Sequence, residues 1–282
     1  MKRITFIVCF SIVSVITAQL NHPKASPFAS IRQEVGLTSI SVEYSRPAVR
    51  GRTIFGDLVP YGRIWRVGAN AATKITFESD VTIQGHALQK GIYVLYAFPE
   101  ENEWEIVFHN NTTHWGDGRK DYDPMEDALR IKVVPSRTKL FQENFLITFD
   151  DINHNALNLV WRWANTEIKI PIGIDTGKLM ELEITRILSK KPSAQTYYEA
   201  ARYYQEQNIK HEIALKYLKL AIEIGGDTYY FHRVKSLVEA ALGDYKAAIY
   251  SAKKSMQLAA KEDKDEFVRM NQKNIDLWTD RL

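Results

Sequence analysis

The stretch "FLITFDDINHNALNLVWRW", Phe145–Trp163, has two alternating segments separated by a polar break at Asp151–Asn155. The apolar residues recur at every second position: Phe145, Ile147 and Phe149 before the break, then Leu159, Trp161 and Trp163 after it. Period-two alternation of aromatic and β-branched residues is typical of a half-buried strand, and the Asp/Asn-rich break is typical of a turn. The stretch therefore predicts a β-hairpin.

The same pattern continues upstream in shorter pieces. "WEIVF" at 104–108 alternates in the same way, and "YVLYAF", Tyr93–Phe98, is apolar on both faces. Turn sequences such as "QKG" and "PEENE" separate these runs, and no convincing helix interrupts them between Leu37 and Ile172. Several short strands with turns between them predict an all-β antiparallel sandwich, which we assign to residues 37–172.

The periodicity becomes helical after Pro171. "DTGKLMELEITRILSKK" begins with a candidate cap at Asp175, and "ALKYLKLAIEI" from Ala214 aligns with "AIYSAKKSMQL" from Ala248, at an offset of 34 residues. This offset is the period of a tetratricopeptide repeat, so residues 175–282 are predicted to form tetratricopeptide-like helical hairpins, with the last helix as a cap. A generic helical bundle is the alternative.

The beginning of the chain predicts export. Lys2 and Arg3 precede an apolar run that ends in Thr17-Ala18, the pattern of a cleavable secretory signal over residues 1–18. The run is short for a transmembrane helix, and an uncleaved signal anchor is the alternative. We predict a periplasmic or secreted protein in which residues 19–36 form a flexible leader.

Composition excludes some classes of function. The single cysteine, Cys9, lies inside the predicted signal, so the exported chain would contain neither a disulfide nor a thiol nucleophile. The net charge of +3 falls by two, to +1, when Lys2 and Arg3 are removed, which argues against nucleic-acid binding. No later stretch is apolar enough to predict a membrane span.

A long block in the β region resembles a known family. It reads "YSRPAVRGRTIFGDLVPYGRIWRVGANAATKITFESDV", Tyr44–Val81, and is followed by "LQKGIYVLYAFPEENEWEIVFHN", "HWG", "LRIKVVP" and "FLITFDDI". On these residues, Ser45–Ile172 resembles the secreted bacterial family called domain of unknown function 2911. The resemblance implies a β-rich exported domain, sometimes followed by helical repeats, and implies no particular activity.

The first candidate site lies in "LVPYGRIWRVGANAAT", Leu58–Thr73. Arginines beside aromatic rings suit recognition of a carboxylate, a phosphate or a sugar, and long loops on a β scaffold often bind ligands. The alternative is that Trp65 packs in the core while Arg63 and Arg66 lie at its rim, which is the interpretation we favour for Trp65. The candidate ligand-binding residues here are Arg46, Arg63, Trp65, Arg66 and Asn70.

The second candidate site lies in "FHNNTTHWGDGRKDYDP", 108–124, which adds His114 and Trp115 to the ligand-binding candidates. Histidines beside carboxylates are typical metal ligands. His109 and His114 are five positions apart on a loop, however, and do not share a helix face as the histidines of H-E-x-x-H do. The aspartates also lack the spacing of a calcium loop. On spacing, we predict neither a metal nor a cofactor.

The sequence contains no G-x-S-x-G, Walker or dinucleotide motif. The favoured hypothesis is a non-enzymatic binding or scaffold protein, with a small molecule or glycan held by the β domain and a protein or peptide partner held by the helical repeats. The alternative is a small periplasmic hydrolase with its site near His109 and His114.

Overall fold

The structure, a computed structural model, describes residues 22–116 and 118–282 and divides into two compact units between Asp175 and Thr176. The predicted signal at residues 1–18 lies outside the described residues. Within the described part of the chain, no helix has the length and apolar character needed to cross a bilayer.

The first unit consists of two antiparallel sheets, as the alternating pattern predicts. The six-stranded sheet has the order β1-β2-β3-β6-β7-β8, and the four-stranded sheet has the order β5-β4-β10-β9. Its strands are β1 Phe28–Val35, β2 Thr38–Ser45, β3 Thr73–Phe77, β4 Val81–Ile83, β5 His86–Leu88, β6 Gly91–Phe98, β7 Trp104–His109, β8 Asp127–Val133, β9 Ser136–Asp150 and β10 Ala156–Ile174.

The hairpin predicted from Phe145–Trp163 is formed by β9 and β10. In its register Leu159 pairs with Phe149 and Trp161 pairs with Ile147, so apolar residues of the two strands lie side by side on one face. Most of these side chains are buried, and Ile147 and Leu159 are completely shielded from solvent. The period-two pattern and the short Asp/Asn turn are local features, and they were sufficient to identify this element.

The prediction of a flexible leader at residues 19–36 is wrong for its second half. Residues 28–35 form β1, which pairs with β2 along its whole length, from Phe28↔Ser45 to Val35↔Thr38. The hairpin turn has Gly36 at its first central position with φ of +56°, which suits a tight two-residue turn. The strand escaped detection because Phe28, an apolar residue, faces solvent and Gln33, a polar residue, is half-buried, so polar and apolar residues do not alternate cleanly at this edge of the sheet.

Strand β6 is covered on both faces. Leu95 and Ala97 face the other sheet, whereas Val94 and Tyr96 face outward and contact Val107. On the outer side, Tyr122 and Ile64 pack against this small cluster. The segment between β7 and β8 therefore closes a second apolar layer over the six-stranded sheet, which explains why "YVLYAF" is apolar at every position.

The second unit is helical, as predicted from the change of period. Its helices are α1 Thr176–Leu188, α2 Ala194–Glu206, α3 His211–Glu223, α4 Tyr229–Ala241, α5 Tyr245–Lys261 and α6 Asp265–Thr279. Ala214 in α3 and Ala248 in α5, which the internal repeat aligns, are both completely buried. Small residues at these positions allow helices to approach closely, and α2 with α3 and α4 with α5 form two successive hairpins.

The pairing of β1 leads to a stability test. We compare residues 22–175 with residues 37–175, each expressed alone, by thermal melting and far-UV circular dichroism. Removing residues 22–36 leaves the backbone groups of β2 unpaired, so we expect the melting temperature to fall by about 5 °C or more, at roughly 2–4 °C per kcal/mol for a domain of this size. Equal melting temperatures would show that β1 contributes nothing to the fold.

Candidate functional site

Trp65 is the centre of an aromatic core. Its indole ring stacks on Trp163 at a centroid distance of 5.9 Å and meets the edges of Phe145 at 5.2 Å and Phe55 at 5.8 Å. The side chain is only 7% exposed, and its Nε1 donates to the carbonyl oxygen of Gly68 at 3.2 Å. Trp65 therefore packs in the core, as the favoured interpretation predicts.

The backbone after Trp65 is unusual. Val67, Gly68 and Asn70 all have positive φ, at 54°, 146° and 59°. A β-branched residue is rare in this region because its Cβ crowds the backbone, and such strain often accompanies function. The hydroxyl of Thr73 holds the turn by donating to the carbonyl oxygen of Val67 at 2.5 Å. This turn places Arg66 on the wall of a cavity.

The cavity has a volume of about 300 Å³ and a positively charged lining. Its charged residues are Arg50, Arg52, Arg66 and Arg119. The rest of the wall includes apolar residues, among them Leu58, Val59, Pro60, Ile64, Trp65 and Trp163. Among the described residues, none of those lining the cavity carries a carboxylate. The cavity therefore has both an apolar wall and several guanidinium groups.

Backbone carbonyl groups orient three of these arginines, Arg50, Arg52 and Arg66, without neutralising them. Nη2 of Arg50 donates to the carbonyl oxygen of Ala25 at 3.2 Å, and Nη1 of Arg66 donates to that of Asn70 at 3.1 Å. Arg52 likewise donates to two neighbouring carbonyl oxygens, at 3.0 and 2.6 Å. Within residues 22–116 and 118–282, no carboxylate forms an ion pair with Arg50, Arg52 or Arg66. Their positive charge is therefore available to an anion.

The other predicted residues of the first site lie outside this cavity. Arg46, which follows β2, contacts β9 instead, because its Nε donates to the carbonyl oxygen of Phe145 at 3.0 Å. The Asn70 amide is occupied by the carbonyl oxygen of Ser26 and the hydroxyl of Ser45. Arg63 is exposed and does not line the cavity. Of the five candidates, Trp65 and Arg66 line the cavity, and only Arg66 offers it a charge.

The second site is a cluster of two histidines and a glutamate. His109, at the end of β7, is completely buried, and its ring centroid lies 5.4 Å from that of His114. Nε2 of His109 is 3.4 Å from Oε2 of Glu126. One donor atom from each of the three residues lies within 4.8 Å of the other two. Trp115, beside His114, is 76% exposed and belongs to neither site.

Local features of the chain bring these three residues together. An irregularity in the β7–β8 register after Phe108 places His109 opposite Asp127. Asp123 caps the short 3-10 turn at Pro124–Glu126 by accepting from the amide of Met125, which positions Glu126 just before β8. The Asn111 amide donates to both carboxylate oxygens of Glu126, at 3.2 and 3.1 Å.

Asp127 orients the ring of His109 through its Nδ1 atom. Its Oδ1 lies 2.9 Å from Nδ1 of His109, while Oδ2 accepts from the Tyr122 hydroxyl at 2.7 Å and from Nη2 of Arg130 at 3.0 Å. A carboxylate only accepts hydrogen bonds, so Nδ1 of His109 is the donor in this contact, and Nε2 on the other side of the ring faces Glu126. Burial, followed by the hydrogen bond to Asp127, raises the pKa of Tyr122 and keeps it a neutral donor.

The spacing argument against a metal considered ligands on one helix, whereas the residues of this cluster come from three different local structures. His109 lies on a strand, His114 on the following loop and Glu126 on a turn that returns to the neighbouring strand. Sequence analysis missed Glu126 and Asp127. The "DPMED" motif at 123–127, with a capping aspartate before proline, was the available signal for a turn carrying two carboxylates.

Comparison with known families identifies the β unit. Residues 26–172 match the family described as Protein of unknown function (DUF2911), and the chain belongs to that family. Neither a curated protein nor a solved structure matches the chain. The matched range includes His109, His114, Glu126 and all four arginines of the cavity. It does not extend into the helical unit.

The two tryptophans provide a matched pair of variants. Trp65→Ala removes a buried indole from the aromatic core, so we expect the free energy of unfolding to fall by about 3–5 kcal/mol. Trp115→Ala removes an exposed indole, and we expect a change of less than about 0.5 kcal/mol. Urea denaturation of both variants beside the parent protein measures the difference. A Trp65→Ala protein as stable as the parent would contradict the core assignment.

Proposed function

We propose that this member of the family is a binding protein whose β unit holds a small anionic molecule in the arginine-lined cavity. The observation that carries the proposal is the group of three guanidinium groups, those of Arg50, Arg52 and Arg66, that are oriented by carbonyl groups and lack carboxylate partners among the described residues. Charges of one sign without counter-ions repel one another, so an anion that neutralises them is favoured.

The chemistry of the wall indicates the class of ligand. The planar guanidinium group matches carboxylate and phosphate oxygens in pairs, and each of the three arginines uses only some of its five donors on the protein. The apolar part of the wall suits a carbon skeleton attached to the anionic group. A volume of about 300 Å³ corresponds to a small metabolite or a terminal sugar acid.

The hydrolase alternative is supported by the second site. His109, His114 and Glu126 offer the nitrogen and oxygen donors that catalytic zinc sites use. We favour binding because the cavity has the apolar wall and charged groups needed to hold a molecule, whereas the cluster supplies donor atoms alone. We still predict that the protein is exported and that the helical unit binds a protein partner.

Variants of Arg66 and Arg63 distinguish binding of an anion in the cavity from attraction of an anion by the charge of the surface. We expect Arg66→Ala to weaken the binding of succinate, glucuronate or inorganic phosphate by at least about tenfold, because it removes a charged donor from the wall, and we expect Arg66→Lys to restore it only in part. Isothermal titration calorimetry with each anion, and with neutral glucose for comparison, measures the effect.

Arg63→Ala is the control, since it removes an equal charge three positions away and outside the cavity. It should bind as the parent does. Equal weakening by both variants would mean that the anions are attracted only by surface charge. Failure of all three anions to bind the parent protein, or preferential binding of glucose, would contradict an anion site.

A further inference from the structure

We infer that His109, His114 and Glu126 form a binding site for a divalent transition-metal ion, and that zinc is the ion it fits best. The site is separate from the arginine cavity and does not depend on the proposed function. Three observations carry the inference: two buried nitrogen atoms without hydrogen bonds, the spacing of the donor atoms, and the hydrogen bonds that hold the first histidine.

The first observation concerns hydrogen bonding. Nε2 of His109 and Nδ1 of His114 are both buried, and neither has a hydrogen-bond partner in the part of the chain that the structure describes. An unsatisfied buried polar atom costs about 1–3 kcal/mol, and it is unusual for two of them to belong to residues whose rings are neighbours. A bound metal ion satisfies both, because each nitrogen then donates its lone pair to the ion.

The second observation is the distance between donor atoms. The 3.4 Å that separates Nε2 of His109 from Oε2 of Glu126 exceeds the roughly 2.7–2.9 Å of a charge-assisted hydrogen bond. Two ligands bound tetrahedrally at about 2.0–2.1 Å from a zinc ion lie about 3.3 Å apart, which is close to the observed separation. The nitrogen of His114 completes a triangle whose sides do not exceed 4.8 Å, so small side-chain rotations bring all three donors onto one ion.

The third observation is the set of residues behind His109. Metal-binding histidines usually donate their second ring N–H to a carboxylate, which fixes the tautomer and makes the ligating nitrogen more basic. Asp127 provides this carboxylate at 2.9 Å and is itself held by Tyr122 and Arg130. The amide of Asn111 orients Glu126 in the same way.

The types of donor atom indicate which metal ion the site would bind. Two imidazole nitrogens and one carboxylate oxygen suit zinc and neighbouring transition metals, whereas calcium and magnesium prefer sites composed of oxygen alone. Three ligands from the described residues leave a fourth tetrahedral position. His109 is the last residue of β7, whereas His114 and Glu126 lie between β7 and β8, so the ion would join this connecting segment to the end of the strand.

The test measures zinc binding to residues 19–282, which contain both units, expressed without an affinity tag. The protein is stripped with a chelator, checked by elemental analysis, and titrated with zinc by calorimetry in competition with a chelator of known affinity. We expect one zinc ion per chain, with a dissociation constant of about 1 µM or tighter. Thermal melting should show stabilisation by zinc that rises with its concentration.

The variants His114→Gln and Glu126→Gln each remove one ligand. His114 and Glu126 are only partly buried, so both variants are expected to fold, which circular dichroism checks. Each should weaken zinc binding by more than about 100-fold, and Asp127→Asn, which removes no ligand but alters the carboxylate behind His109, by about 10–100-fold. His86→Gln removes an exposed histidine of the same unit and should bind zinc as the parent does.

The inference is overturned if the stripped parent protein binds no zinc near this affinity. It is also overturned if His114→Gln and Glu126→Gln retain parental affinity, or if His86→Gln weakens binding as much as they do, because zinc would then be bound elsewhere. Neither result affects the titrations with succinate, glucuronate and phosphate, so this site and the arginine cavity can fail independently.

Discussion

The burial of Trp65 is the constraint on which the rest of the β unit depends. Its backbone exchanges two hydrogen bonds with Ala97, at 2.7 and 2.9 Å, so the connecting segment is attached to the end of β6. Its ring fills the space between Trp163 and Phe145 of the opposite sheet. Because neighbouring residues of an extended segment point to opposite sides, a buried Trp65 directs Arg66 away from the core. The burial of the indole and the position of Arg66 on the cavity wall are thus two consequences of the same attachment.

Strain after Trp65 has a definite location. Val67 adopts a left-handed conformation although its branched side chain is unsuited to it, and Gly68 follows where a Cβ would lie 2.9 Å from the carbonyl oxygen of Ser45. The aromatic packing before this turn and the hydroxyl of Thr73 after it hold the backbone in place. Their contacts offset a local cost of about 1–3 kcal/mol and position the cavity wall.

The segment between β7 and β8 connects the two candidate sites. At its beginning and end it supplies the histidines and Glu126, and in between Gly116 lies against the guanidinium of Arg66 while Arg119 lines the cavity. Tyr122 anchors the same segment on the outer apolar layer of the sheet. The two candidate sites therefore share one segment of the chain, but they use different side chains of it.

The amino-acid sequence by itself determined the division into strands and helices, the hairpin β9–β10 and the double burial of β6, because hydrophobic periodicity is encoded locally and reports which faces are covered. It also indicated that Trp65 packs, since an aromatic residue is more often core than platform. It did not reveal β1, in which an apolar residue faces out at Phe28 and a polar one faces in at Gln33, and whose identity comes from pairing with β2. Only the tertiary structure decided that His109, His114 and Glu126 meet and that Arg66 faces a cavity. The physical reason is that both arrangements depend on a displaced strand register and a left-handed turn, which are set by contacts between distant segments and not by the spacing of residues along the chain.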